Sequence, residues 1–72
     1  MKSNIYKIRI DKCDNPRYWY NNCIGNIYYA AGKTINGTTY FVIINDKEYQ
    51  GELCRIQHAT VIEQITKVNL YD

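Results

Sequence analysis

A chain of 72 residues is shorter than most single domains, so one small domain spanning 1–72 is expected, with a core that withdraws only about 60% of the unfolded chain's surface from water. Hydrophobic residues make up 46% and aromatic ones 14%, with eight Tyr among them, so rings can be buried while their hydroxyls reach water or the backbone. The net charge of +2 comes from nine Lys and Arg against seven Asp and Glu, interspersed rather than blocked, which excludes a strongly basic nucleic-acid stripe.

The first predicted strand is Asn4 to Lys12, where Tyr6, Ile8 and Ile10 alternate with Lys7, Arg9 and Asp11 at the period of two that half-buried strands adopt. Cys13 to Asn22 holds Pro16 and several Asn and Asp residues and reads as a loop with an aromatic tip. Ile24 to Gly32 is β-rich again, and Gly25 near its start suggests a bulge or a close backbone approach. Asn36-Gly37 marks a tight hairpin, and Thr38 to Asn45 is the return strand, apolar on both faces (Tyr40, Val42, Ile44 against Phe41, Ile43).

Asp46-Lys47 reads as a polar turn, Glu48 to Ile56 as a fourth strand and Gln57-His58-Ala59 as a single 3₁₀ turn. Thr60 to Ile65 supplies a fifth strand. A short helix is the competing reading there, because Val61, Ile65 and Val68 lie at helical spacing, but the run of β-branched residues without a capping box favours strand. Residues 66–72 are expected to fray. Five short strands, a long loop after the first and a tight turn before the last describe an all-β fold, a small five-stranded antiparallel barrel. Its expected core is Ile8, Ile10, Ile27, Val42, Ile44, Leu53 and Val61.

Cys13, Cys23 and Cys54 are odd in number and lack the C-x-x-C spacing of a zinc knuckle, so reduced, buried thiols are expected, without metal or cofactor. No apolar run reaches signal-peptide or membrane-spanning length, which reads as a cytoplasmic chain. One histidine, no P-loop, no G-x-S-x-G and no H-E-x-x-H argue against an enzyme. A thiol paired with His58 has no third member to orient it.

The stretch KCDNPRYWYNNCIG, Lys12 to Gly25, resembles a group of small proteins of low-GC bacteria and their phages. These open with a strand ending Lys-Cys, a loop with Pro and Tyr-Trp-Tyr, then Ile-Gly and a β-hairpin. The resemblance implies an SH3-like (Src-homology-3-type) barrel whose long first loop folds over one end of the sheet. A phage or mobile-element setting also fits the abundance of Asn, Ile, Lys and Tyr, all encoded by A/T-rich codons.

Tyr, Trp and Arg are the residue types enriched at interface hot spots, and the loop places Arg17, Tyr18, Trp19 and Tyr20 in succession after Pro16. These four are the expected partner-binding residues. Trp19 and Tyr20, if locally extended, face opposite ways, one packing inward and one presented to solvent. The expected function is a non-catalytic protein-binding module, a monomer or weak dimer, that modulates or inhibits a host protein. The alternative is a small RNA- or DNA-binding module, with aromatics interleaved among Lys7, Arg9, Lys12, Arg17 and Arg55.

Overall fold

The computed structural model describes residues 2–68 of the chain, and side chains from 4 to 65. Five strands form one antiparallel sheet: β1 (Lys2–Ile10), β2 (Ile27–Ile35), β3 (Thr38–Ile44), β4 (Leu53–Arg55) and β5 (Ala59–Val68), in the order β4-β3-β2-β1-β5. Among the described residues no backbone pairing joins β4 to β5, so the hydrogen-bonded sheet is open, with these two strands as its edges. Two 3₁₀ turns complete the elements, Trp19–Asn22 in the first loop and Ile56–His58 between β4 and β5. No helix among the described residues is long and apolar enough to cross a membrane.

The strand assignments hold in kind and shift in extent. β2 begins at Ile27 rather than Ile24, because Gly25 adopts φ +89° and donates its N–H to the Ile10 carbonyl at 2.7 Å, which makes residues 23–26 a turn. That strand then runs through Gly32 to Ile35, where Asn36 (φ 50°) and Gly37 (φ 82°) close a two-residue hairpin with Ile35 opposite Thr38, the turn that suits the right-handed twist of the strands.

β4 is reduced to three residues, against the nine expected from Glu48 to Ile56. Asp46 ends the strand pattern: its Oδ2 accepts the N–H groups of Glu48 (3.1 Å) and Tyr49 (2.8 Å), so the backbone curls into a turn. The final segment is strand, not helix, and β5 pairs with β1 as far as Val68 opposite Lys2. The tail expected at 66–72 lies, from residue 69 onward, outside the described residues.

The core is corrected more substantially. Ile8 and Ile10 are fully buried as expected, but Ile27 is 50% and Val61 43% exposed, and Val42, Ile44 and Leu53 are only half-buried. The buried face instead carries Tyr28, Ala30, Phe41, Ile43 and Cys54, closed over by Tyr20 and Cys23 from the first loop. Register explains the choice: Ile8 pairs with Tyr28, Ala30 with Ile43 and Phe41 with Cys54, so these residues share one face. Where β3 is apolar on both sides, the face it shares with the inward Ile8 is the buried one. Val61 pairs with Ile8 but sits on an edge strand, and the register shifts there, Lys7 pairing with Glu63 and Ile8 with Val61. Ile62 is thereby left as the extra residue of a bulge, exposed beside Val61.

Candidate functional site

The first loop is built as two successive turns. Asn15 accepts the Arg17 N–H on Oδ1 (2.9 Å) and the Tyr18 N–H on its carbonyl (3.1 Å), closing a β-turn with Pro16 at the position where a fixed φ is favoured. Tyr18 then accepts the Asn21 N–H (3.1 Å) and Tyr20 the Cys23 N–H (3.0 Å), winding Trp19–Asn22 into a 3₁₀ turn, so the condition of a locally extended segment is not met. In a turn of three residues per revolution, the adjacent side chains fan out.

Arg17 is exposed, Tyr18 and Trp19 are half-buried, and Tyr20 is 1% exposed. Tyr20 is the inward ring, and its hydroxyl lies 2.7 Å from Nδ1 of the buried His58. Burial pushes its hydroxyl pKa up to about 12. Trp19 is held on two sides. Its indole N–H donates to the Leu53 carbonyl at 2.7 Å, and its ring lies 4.6 Å from that of Tyr49 and edge-to-face with Tyr28. The bond fastens the loop to the backbone of β4, an edge strand of the sheet.

Tyr18 is the ring presented outward. Arg55 of β4 donates from Nε to its hydroxyl at 3.3 Å and places its guanidinium carbon 5.8 Å from the ring centre. That hydrogen bond also holds the Arg55 pKa above its ordinary value.

Between the loop and the β4 edge lies a groove of about 510 Å³. All four expected partner-binding residues, Arg17, Tyr18, Trp19 and Tyr20, line it on the loop side. Tyr40, Leu53 and Arg55 line it from β3 and β4, with Gly51 and Glu52 from the turn before β4. The far wall was not legible in the sequence: Tyr18 and Arg55 lie 37 positions apart, and no local pattern joins them. Arg55 stood out only as one of several cations.

His58 is the other residue whose role is set by folding. It is 2% exposed, with Nε2 3.5 Å from a carboxylate oxygen of Asp14 and its carbonyl accepting the N–H groups of Asp11 (2.9 Å) and Lys12 (3.2 Å). It therefore ties the second 3₁₀ turn to the start of the first loop. Asp11 is bound in turn by the Thr60 hydroxyl and by Arg9, which together lower its carboxyl pKa.

The three thiols are unpaired with one another, Cys23 and Cys54 being buried, and burial pushes Cys54 up to about 12. A thiol so shifted is a poor nucleophile. Among the described residues no three His, Cys, Asp or Glu side chains converge as a metal site would require. Comparison with protein-family models, curated proteins and solved structures gives no match.

Proposed function

We propose that this protein is a non-catalytic binding module whose protein partner docks in the groove between the first loop and the β4 edge. The observation that carries the reading is the convergence of Arg17, Tyr18 and Trp19 with Tyr40, Leu53 and Arg55 around one open concavity. Hot spots form where rigid rings and guanidinium groups surround a cleft that a partner can desolvate. Little ordering entropy opposes association, because Pro16, the Asn15 turn and the Trp19–Leu53 bond already fix the loop.

The reading includes an SH3-like barrel, in which the sheet curls so that the second 3₁₀ turn brings β4 and β5 to its two margins while the first loop spans the gap between them. Supporting it are the strand order, the three-residue link from Arg55 to Ala59, and the loop's bonds to both margins, Trp19 to Leu53 and Tyr20 to His58. In this reading the module works in the cytoplasm of a low-GC bacterium, encoded by a phage or mobile element, and modulates a host protein by occupying one of its surfaces.

The test is capture from host lysate with the wild-type chain and with Arg17→Ala, Tyr18→Ala and Tyr20→Ala, each checked for melting. Arg17→Ala and Tyr18→Ala should stay folded and lose about 2 kcal/mol or more of binding. Tyr20→Ala should unfold, at a cost of about 3–5 kcal/mol for a buried ring. If every folded variant still captures the partner, the groove is not the docking site. Nucleic-acid binding is the second reading, favoured by the Arg55 guanidinium set over the Tyr18 ring in a groove that Arg17 and Tyr40 also line. It requires a mobility shift with single-stranded RNA or DNA that collapses with added salt.

A further inference from the structure

The groove carries more cationic than anionic character, and its charges are unevenly engaged. Arg17 and Arg55 line it, against Glu52 as the acid. Among the described residues neither guanidinium forms an ion pair. Arg55 commits its Nε to Tyr18, which leaves its two terminal nitrogens to donate elsewhere. The guanidinium fork matches a carboxylate in plane and spacing. Tyr18, which follows Arg17 in the chain, is in contact with Arg55, and both arginines line the same groove. Beside them, Trp19, Leu53 and Tyr40 offer apolar surface.

Building on the protein-binding reading above, we propose that the groove selects an extended peptide segment in which Asp or Glu stands beside a branched apolar or aromatic residue. The carboxylate accepts hydrogen bonds from Arg17 and Arg55, and the apolar side chain lies against Trp19 and Leu53. Glu52 sharpens the selection. A nucleic-acid strand repeats its charge at every unit and brings phosphate near this carboxylate, whereas a peptide with one acidic residue places its charge at the arginines alone. The occupant is accordingly an acidic-apolar peptide rather than a polyanion.

The experiment is selection of short random displayed peptides on the full wild-type chain and, in parallel, on the Arg17→Ala/Arg55→Ala double variant, with melting curves confirming that the variant folds. Selected peptides are then titrated while backbone amide signals are followed. Expected are enriched sequences with an acidic residue next to an apolar one, shifts at residues 17–20 and 51–55, and at least about tenfold weaker binding to the double variant. Replacing the peptide's acid by its amide should reproduce that loss.

Enriched sequences that lack an acidic residue, or acidic ones that bind the double variant equally well, would overturn the carboxylate assignment while leaving the groove a peptide site. No enrichment on the wild type, together with salt-sensitive shifts of the same amides by a short oligothymidylate, would overturn the protein-binding reading as well.

Discussion

The hydroxyl of Tyr20 and Nδ1 of His58 meet at 2.7 Å inside the protein, 38 positions apart in the chain. One comes from the first loop and the other from the 3₁₀ turn that precedes β5, so the bond fixes the groove's loop to the turn that joins β4 to β5. Neither polar atom has water as a substitute partner once buried, and such a bond is worth more when broken from one side than from both.

Tyr20→Phe is therefore expected to cost about 1–3 kcal/mol by leaving the imidazole nitrogen unpaired. The double variant Tyr20→Phe/His58→Leu should cost less than the sum of the single changes, since no polar group remains orphaned. Urea denaturation midpoints of the four chains measure this. Strict additivity would show that the bond contributes nothing.

Alkaline pH should weaken the fold. The Tyr20 hydroxyl rises from its ordinary 10.0 to about 12 and the Cys54 thiol from 9.0 to about 12, both through burial. Each group holds its proton more tightly when folded, so its stabilisation is complete below its unfolded pKa and is lost as pH rises through the folded value. Under reducing conditions, stability should decline between about pH 9 and 12, and Tyr20→Phe should flatten the part of the decline that begins near pH 10. An unchanged pH profile in that variant would contradict the assignment.

Trp19→Phe keeps a ring against Tyr49 but removes the N–H that satisfies the Leu53 carbonyl. The expected loss is about 1 kcal/mol, with faster hydrogen exchange in the paired residues Tyr40 to Val42 and Leu53 to Arg55 as the short β4 loosens. Exchange confined to the loop, with β4 unaffected, would mean that the indole bond does not hold the edge strand.

The buried face can be tested by contrast. Ile10→Ala and Ile43→Ala, at fully buried positions, should each cost about 2–5 kcal/mol. Ile27→Ala and Val61→Ala, about half exposed, should cost about 1 kcal/mol or less. Thermal or urea melts that rank these pairs the other way would mean that the sheet buries its opposite face.

How much of this was legible beforehand depended on the range of the interaction. Alternation in Tyr6, Ile8 and Ile10 dictated β1 and its inward face, because side-chain direction in a strand is a local property. Asn36-Gly37 dictated the hairpin for the same reason, as few other residues accept positive φ at both positions. The order Arg17-Tyr18-Trp19-Tyr20 pointed to a binding loop through residue type alone.

What alternation could not decide was β3, apolar on both faces, where pairing with β2 put Phe41 and Ile43 inside and left Val42 and Ile44 half-covered. Nor could it divide the labour within the aromatic run: the 3₁₀ turn sent Tyr20 to His58, Trp19 to Leu53 and Tyr18 outward to Arg55. Each of these choices depends on a partner more than thirty positions away, brought near only by the sheet. A groove made of one loop and one distant strand edge therefore exists only in the tertiary structure, although the sequence by itself supplied the loop that forms its first wall.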